Sequence, residues 1–274
     1  MASFPLSLPD ARGERLTLEA APQRLVSLVP SQSELLAHLA EDRLAGVTRF
    51  CIRPDHLREQ KEIVGGTKNV DVEQVKALQP DLVLANIEEN TRETVTALEA
   101  FAPVFVTDVK SVPDAATMIR AVGKLIAQTP DAKALAGRLE RAFADLGATD
   151  VLPLRAVYLI WRDPFMTVGR DTIIGDVMER AGFANAFADR TRYPEVSMQE
   201  IAEAAPEVVF LPDEPFPFPQ KDRFSADLRD ALPETPVEFV DGQLFSWYGP
   251  RLADAPPYLR NLRRQLQASE PDRS

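Results

Sequence analysis

The sequence has one cysteine, Cys51, and two histidines, His38 and His56, among its 274 residues. A single cysteine excludes an internal disulfide. The histidines do not stand at the spacing of zinc ligands, either with each other or with Cys51. We therefore predict no metal site made by the protein's own side chains.

Positive charge is also in deficit, with 31 Lys and Arg against 42 Asp and Glu, for a formal net charge of -11. This balance disfavours binding to nucleic acid or to an anionic membrane surface. No apolar run approaches the roughly 18 residues of a membrane span, and the stretch from Met1 lacks the basic and apolar regions of an export signal. From this start we expect a cytoplasmic monomer that neither binds nucleic acid nor inserts into a membrane.

Signatures of catalysis are missing as well. The sequence has no G-x-S-x-G elbow, no H-E-x-x-H, no C-x-x-C and no Walker loop. Glu88, Glu89 and Asp163 could act as an acid or a base, but no nucleophile accompanies them. These motifs therefore nominate no reaction, although an enzyme that uses these carboxylates remains possible.

The chain alternates short apolar runs with amphipathic segments of helix length, which predicts an α/β fold with mainly parallel strands. Between residues 113 and 146 there is no strand signal, and apolar residues recur at helical spacing. We predict one long helical segment there, with a break at Pro130 as a variant. The predicted domains are an N-terminal α/β lobe (1–112), a linking helix (113–147) and a C-terminal α/β lobe (148–274).

Two stretches of the sequence are similar to each other. VEQVKALQPDLVLA (72–85) and MQEIAEAAPEVVFL (198–211) each contain a helical segment, a proline, an acid and an apolar strand in one register. This similarity predicts that the two lobes arose by duplication. Separately, Ser31 and Glu34 fit a capping box, so we expect the first helix to begin just after Pro30.

Aromatic residues and arginines occur together in four segments just past predicted strands or in adjoining loops. Ligands of open α/β sheets bind at the carboxyl ends of the strands, and aromatic faces with guanidinium groups suit a flat or conjugated ligand that carries negative charge. For Trp247, packing beneath the final helix is the alternative. The predicted ligand-binding residues are Phe50, Trp161, Arg162, Tyr193, Trp247, Tyr248 and Arg251, and Arg49 and Arg192 accompany two of them.

From Arg24 to Leu266 the chain resembles the helical-backbone metal-receptor type of ABC-transporter substrate-binding protein. The resemblance rests on RLVSLVPSQSELL, GVTRFCIRP, VGGTKNVDVEQVKALQPDLVLA, RAVYLI, FMTVGRDTIIGDVMERAG, RYPEVS and FSWYGPR. It implies two Rossmann-like lobes joined by a single long helix, with a ligand cleft between the lobes. It also implies a metal-chelate ligand (a ferric siderophore, cobalamin or haem), no covalent cofactor, and an extracytoplasmic protein that serves an ABC permease.

Within this family, the cobalamin-binding branch has cleft aromatics that match Phe50, Trp161 and Tyr193. Two further aromatic positions of that branch fall on Asn86 and near Thr67, so the chain departs from the pattern there. A cytoplasmic protein that handles a metal chelate without a transporter, or an enzyme on the same scaffold, is the alternative function.

The resemblance also implies one acidic docking residue on each lobe for arginines of the permease. Glu73 matches the position in the N-terminal lobe. The C-terminal position carries Gln199, and Glu200 stands beside it. We therefore predict docking through Glu73 and Glu200, with the larger contribution from Glu73.

Overall fold

The computed structural model describes residues 3–146, 152–218 and 223–268. Within them the chain divides into two compact units. Unit 1 comprises Met1–Val109, Pro113–Arg138 and Tyr248–Pro250, and unit 2 comprises Lys110–Val112, Leu139–Trp247 and Arg251–Ser274. The predicted domain boundary at 147/148 lies outside the described residues.

Unit 1 is built on a parallel sheet of five strands in the order β5-β4-β3-β6-β7, and an antiparallel hairpin of β1 and β2 precedes it. The strands are β1 Leu6–Pro9, β2 Arg15–Leu18, β3 Leu25–Ser27, β4 Leu44–Val47, β5 Glu62–Ile63, β6 Leu82–Asn86 and β7 Val104–Thr107. The helices that begin in residues 1–146 are α1 Pro30–Ala40, α2 Leu57–Gln60, α3 Val72–Ala77, α4 Arg92–Glu99, α5 Val112–Leu125 and α6 Thr129–Leu146.

Unit 2 has the parallel strand order β10-β8-β11-β12, and β9 pairs antiparallel with β8. Its strands are β8 Leu154–Trp161, β9 Met166–Thr167, β10 Phe183–Asn185, β11 Val208–Pro212 and β12 Val237–Val240. Its helices are α7 Ile173–Arg180, α8 Met198–Glu203, α9 Arg223–Ala231, α10 Gln243–Ser246 and α11 Ala255–Ala268. The predicted α/β class with parallel sheets is confirmed.

Parallel strands are covered by helices on both faces, so their side chains form continuous apolar runs. All five residues of β6 and all five of β11 are buried. One apolar core in unit 1 includes Val26, Val83 and Val106, and one in unit 2 includes Val157, Val209 and Leu211.

The first helix begins differently from the expectation. α1 starts at Pro30 itself, Val29 is its N-cap, and no side chain caps the helix. The capping-box prediction is therefore wrong. Proline suits the first helical turn because its fixed φ is close to the helical value and its missing N–H would have no intrahelical acceptor there. Ser33 Oγ instead donates to the Val29 carbonyl at 3.0 Å.

The long segment without strand signals forms two helices, α5 and α6, rather than one uninterrupted helix. At the end of α5, Gln128 N–H donates to the Gly123 carbonyl at 2.7 Å and Ala127 N–H to the Lys124 carbonyl at 3.2 Å. Ala127 has a φ of 57°. This is a Schellman-type ending of α5. The break between the two helices therefore precedes Pro130, which lies in the first turn of α6.

The predicted internal repeat has the same local construction in both units. In unit 1, Arg24 and Asp81 exchange backbone contacts: Asp81 N–H donates to the Arg24 carbonyl at 3.0 Å, and Arg24 N–H donates to the Asp81 carboxylate at 2.8 Å. The Arg24 guanidinium donates to the Leu78 carbonyl at 2.7 Å. Gln79, just before Pro80, has a φ of 47°.

Unit 2 repeats each of these features at the aligned positions. Glu207 N–H donates to the Arg155 carbonyl and Arg155 N–H to the Glu207 carboxylate, both at 2.7 Å. The Arg155 guanidinium donates to the Ala204 carbonyl at 2.6 Å, and Ala205, just before Pro206, has a φ of 45°. Shared strand register, side-chain anchors and an unusual backbone angle support the duplication.

A membrane-spanning helix needs an apolar stretch of 18 residues, and none of the helices in the described ranges contains one.

From the turn between α5 and α6 we predict that Gly123→Ala destabilises the protein and that Ala127→Gly stabilises it. A Cβ on Gly123 would lie 2.0 Å from the Ala132 Cβ. We therefore expect Gly123→Ala to lower the free energy of unfolding by about 1 to 3 kcal/mol, although the same exchange in an uncrowded helix raises it. Ala127→Gly should raise it by up to about 1 kcal/mol by relieving the positive φ. Urea unfolding of both variants measures the two signs, and a stabilised Gly123→Ala would contradict this packing.

Candidate functional site

The chemistry-bearing side chains of each unit gather at the carboxyl ends of its parallel strands. In both sheets a central strand (β3 or β8) is followed by strands that lie first on one side of it and then on the other. Ligands of open α/β sheets bind beside such a reversal of strand order. The carboxyl edge of each sheet is therefore a candidate ligand site.

Phe50 lies three residues after β4 and is 49% exposed, although it is a large apolar side chain. The Arg49 guanidinium lies 5.2 Å from the centre of its ring. Gly66 leaves room for both side chains, because a Cβ there would lie 3.0 Å from Arg49 and 3.1 Å from Phe50. The structure thus keeps an aromatic face with an adjacent cation exposed at this edge of unit 1.

The two positions at which the family's cobalamin branch has further aromatics hold buried polar residues here. Asn86 ends β6 and is 2% exposed. Its side chain donates to Thr107 Oγ1 at 3.2 Å and accepts from Glu88 N–H at 2.8 Å. The Thr67 carbonyl accepts from Asn90 at 2.9 Å. These groups form a buried hydrogen-bond network rather than an aromatic surface.

Trp161, the last residue of β8, is 42% exposed at the corresponding edge of unit 2. Its ring meets Phe216 edge-on, with centroids 5.4 Å apart and an interplanar angle of 75°. The adjacent Arg162 points to other partners: it forms a 2.6 Å ion pair with Asp227 and lies over the Phe165 ring at 5.1 Å. Of this predicted pair, Trp161 therefore presents the more accessible surface.

Trp247 follows α10 and is buried, with 6% of its surface exposed. Its indole Nε1–H donates to Glu214 Oε1 at 2.5 Å. The Arg251 guanidinium, on a 3₁₀ helix at Pro250–Asp254, lies 6.0 Å from the Trp247 ring centre. The sequence interpretation missed α10, which separates this segment from β12, and it missed the carboxylate that holds the indole.

The loop after β11 connects the two tryptophans of the chain. Its residue Glu214 binds Trp247, and Phe216, two residues later, packs against Trp161. Phe216 in turn packs on Phe218 at 4.6 Å, and both phenylalanines are buried. The signal was present as DEPFPF directly after an apolar strand, but the sequence interpretation searched for aromatics paired with arginine and passed over this acidic segment.

Glu214 is an unusual carboxylate. Burial raises its pKa from an ordinary 4.5 to about 7, and the negative charges of Asp213 and Asp241 add to the rise, while the Trp247 hydrogen bond opposes it. Because the folded protein favours the protonated form, this group's contribution to stability is fully present below about pH 4.5. It is lost as the pH rises through about 7, and the loss amounts to at most about 3 kcal/mol.

Two further polar groups lie buried near Glu214. Burial and the charges of Glu214 and Asp213 hold the pKa of Tyr158 well above its usual range. The Tyr158 hydroxyl has no hydrogen-bond partner among the described residues, and the same is true of Gln243 Oε1. Gln243 does donate through Nε2 to Glu214 Oε2, at 3.5 Å.

Tyr248, Gly249 and Pro250 belong to unit 1, although the residues on both sides of them belong to unit 2. A Cβ on Gly249 would lie 2.8 Å from the Ser31 carbonyl and 3.7 Å from the Leu35 Cβ. The segment therefore packs directly on the first turns of α1, and Tyr248 is buried. The chain bends at Gly249, and a 3₁₀ helix begins at Pro250.

Tyr193 is half-buried in the loop between β10 and α8, and Arg192 before it has a φ of 59°. The Arg192 N–H donates to Asp171 Oδ1 at 2.5 Å. The ligand role of Tyr193 stays a prediction.

The two candidate docking residues occupy different positions on equivalent helices. Glu73 is exposed and is the second residue of α3, whose N-cap is Asp71. Its counterpart on α8 is Gln199, which is also exposed. Glu200 is the third residue of α8, where it closes a capping box with Ser197 and pairs with Arg190 at 2.6 Å.

These contacts explain the acidity of Glu200. The Ser197 backbone N–H, with help from Arg190, lowers the pKa of Glu200 to about 2. Its stabilising contribution is therefore present above about pH 4.5 and is lost as the pH falls through about 2. A carboxylate engaged in this way caps α8 first of all, so Gln199 rather than Glu200 is the exposed counterpart of Glu73.

No cluster of three or more His, Cys, Asp or Glu side chains with metal-binding geometry occurs among the described residues. His38 lies exposed in the second half of α1. His56 Nε2 is 2.8 Å from Glu41 Oε1, just past the end of the same helix. Since α1 starts at the carboxyl end of β3, both histidines are at the far end of α1 from that edge.

Comparison with known proteins gives consistent similarities. The periplasmic binding protein family matches residues 25–232. The cobalamin-binding protein of Halobacterium salinarum is 33% identical over 219 residues, which are 76% of this chain and 58% of that protein. The ABC transporter substrate-binding lipoprotein YvrC of Bacillus subtilis is 25% identical over 92% of this chain and 83% of its own length. The chain thus spans well under two thirds of the Halobacterium relative.

Among solved structures, the apo haem-binding protein RhuT from Roseiflexus superposes with a TM-score of 0.76 at 22% identity. The alignment covers 91% of this chain and 99% of that one. At this identity the similarity demonstrates a shared fold.

The packing of Gly249 generates a prediction about stability. Because its φ is not positive, alanine is allowed by the backbone, and the exchange would normally be neutral or stabilising. Here the added Cβ would meet the Ser31 carbonyl, so we expect Gly249→Ala to lower the free energy of unfolding by about 1 to 3 kcal/mol and Gly249→Val to lower it further. Chemical denaturation measures both, and unchanged stability in the valine variant would contradict the placement of residues 248–250 on α1.

Proposed function

Because the chain belongs to the periplasmic binding protein family, we propose that it is the substrate-binding protein of an ABC importer and that its ligand is a metal chelate with a flat corrin-type ring. The family and the relatives are binding proteins, which confirms the prediction of a binding protein rather than an enzyme. We therefore propose no catalytic role for the carboxylates of Glu88, Glu89 and Asp163.

One observation carries the proposal: each unit exposes a large aromatic ring at the carboxyl edge of its parallel sheet. Phe50 is 49% and Trp161 is 42% exposed, whereas most large apolar side chains are buried. Exposed aromatic rings at a ligand-binding edge suit a flat conjugated ring system. We propose Phe50 as a ligand-contact residue of unit 1 and Trp161 as a ligand-contact residue of unit 2. We propose further that Tyr193, Trp247, Tyr248, Arg162 and Arg251 take part in or support ligand binding.

The positions of the histidines disfavour haem that is held by an axial histidine. Haem iron in proteins is commonly held by an axial side chain such as histidine. Both histidines of this chain lie at the far end of α1 from the carboxyl edge of β3. The name of the Halobacterium relative, a cobalamin-binding protein, points in the same direction. A ferric siderophore fits the aromatic and arginine set less specifically.

For docking to the permease, we propose Glu73 on unit 1 as the main contact. It is exposed and makes no cap for its own helix. On unit 2 the exposed counterpart is the uncharged Gln199, and Glu200 is engaged with Ser197 and Arg190. With this role we propose that the protein acts outside the cytoplasm, as members of its family do.

Ligand titration tests the proposed function. We expect cyanocobalamin to bind more tightly than haemin, and Trp161→Ala to weaken binding by about 1 to 3 kcal/mol, the effect of losing a large contact aromatic. Leu152→Ala is the matched control, because Leu152 is 86% exposed before the amino end of β8. Calorimetry with the wild type and both variants measures this. Tighter haemin binding would replace the corrinoid assignment, and binding of neither compound would contradict the proposed ligand class.

Association with the permease tests the docking proposal. Glu73→Lys should slow association with the cognate permease in liposomes, with a larger effect at low salt, because the lost interaction is long-range electrostatic steering. Gln199→Glu should speed association by adding the second acid. Glu234→Lys, a reversal at an exposed position of unit 2, is the control for net charge. Equal rates for Glu73→Lys and the wild type would exclude this docking contact.

A further inference from the structure

The loop between β11 and α9 carries a buried acid whose purpose is not explained by packing. Glu214 Oε1 accepts the Trp247 indole N–H at 2.5 Å, and Oε2 faces the Gln243 side-chain amide at 3.5 Å. Gly242 provides the necessary space, because a Cβ there would lie 2.8 Å from the Glu214 carbonyl and 2.9 Å from its Cγ. Backbone and side chains of residues 242–247 are thus arranged around one carboxyl group.

We propose that Glu214 is the positioning residue for Trp247, and that gain or loss of the proton on its carboxyl group sets how firmly the indole is held and thereby makes ligand affinity depend on pH. The inference deepens the proposed function, since it concerns regulation of the same binding segment, but its structural part does not depend on which chelate binds.

The chemistry of the contact explains the direction. An ionised carboxylate accepts an N–H bond about twice as strongly as a neutral carboxyl group does. The ionised state therefore fixes the indole and, through it, the surface on which the Arg251 guanidinium lies at 6.0 Å. Protonation weakens this hold. A pre-positioned side chain binds a ligand more tightly because less rotamer freedom is lost, so affinity should rise with pH.

The groups around Glu214 have opposing effects on its pKa. Asp213 adjoins it, Asp241 follows β12, Tyr158 faces it from β8, and Tyr258 comes from α11. The carboxylates disfavour a further negative charge, whereas Trp247 supports it. Burial and these charges raise the pKa of Glu214 to about 7. A change of one pH unit near neutrality therefore alters its ionised fraction substantially.

The titration of Glu214 can be observed in unit 2 without interference from a histidine or a cysteine of the same unit. Both histidines, the side chains that ordinarily titrate near neutral pH, belong to unit 1, and so does Cys51. Burial raises the pKa values of Tyr158 and Tyr258 further from neutrality. A neutral-pH transition that Trp247 reports is therefore attributable to the carboxyl group it contacts.

The decisive experiment needs no ligand. In a Trp161→Phe background Trp247 is the only tryptophan, and its fluorescence is followed from pH 5 to pH 9. We expect one inflection near pH 7, its loss in Glu214→Gln, and its retention in Glu234→Gln, an exposed carboxyl of the same unit. Asp213→Asn should move the inflection to lower pH, because a negative neighbour is removed. An inflection that persists in Glu214→Gln, or none in the Trp161→Phe background, would overturn the proposal.

A second variant, Glu214→Asp, separates the effect of side-chain length from the effect of charge. It also provides a test if Glu214→Gln does not fold. Glu214→Asp keeps a carboxyl group on a shorter side chain, so it should titrate without the Trp247 signal. Circular dichroism of each variant establishes that it is folded. If Glu214→Gln fails to fold, the absence of a neutral-pH inflection in Glu214→Asp carries the test, and an unchanged inflection there would overturn the positioning role.

Cyanocobalamin then tests the consequence for binding, in the chain with Trp161 intact. We expect the Kd to fall by about fivefold between pH 6 and pH 8, the gain of one charge-assisted over one neutral hydrogen bond. Glu214→Gln should abolish this dependence. If the Kd does not depend on pH while the fluorescence inflection remains, the link between Glu214 ionisation and ligand affinity is overturned. The positioning of Trp247 by Glu214 then still stands. A normal inflection with no cyanocobalamin or haemin binding would count against the proposed ligand class and leave the Glu214 contact standing.

Discussion

The hydrogen bond between Glu214 and the indole of Trp247 constrains much of unit 2 around the candidate site. It ties the loop after β11 to the segment after β12, and it requires the missing side chain at Gly242. The same loop supports Trp161 through Phe216, so one short acidic and aromatic segment orients both tryptophans. A neutral apolar side chain at position 214 would fill the space, but it would leave the indole N–H without its acceptor.

The two units repeat one building plan, and the repetition explains where the proposed ligand contacts lie. An arginine at the beginning of the central strand and an acid just before the next strand fix the register of β3 with β6 and of β8 with β11. With the register fixed, the strands of each sheet end at one edge, where the loops are free to vary. Phe50 and Trp161 occupy such loops or strand ends, whereas Asn86 shows that the same edge also holds buried polar residues.

These features explain why a binding protein is the function that fits. The structure places exposed aromatic faces at the sheet edges, with a guanidinium group beside Phe50. Glu214, a buried carboxyl group with a raised pKa, contacts an indole rather than an accessible reacting group. Its raised pKa therefore acts on a side chain that shapes a surface, which is an effect on affinity rather than on the rate of a reaction.

The sequence by itself determined the α/β rhythm, the parallel sheets, the internal repeat and the family, because these follow from local periodicity and from ordered motifs. It also located Phe50 and Trp161 near strand ends. Only the tertiary structure decided that α1 starts at Pro30 without a side-chain cap, that Glu200 caps its own helix, and that Tyr248–Pro250 belong to unit 1. It also supplied Glu214 as the partner of Trp247, 33 residues away in the chain. A sequence pattern reports neighbours along the chain, whereas hydrogen-bond partners, buried charges and their pKa values depend on which distant segments the folded backbone brings within 3 Å of one another.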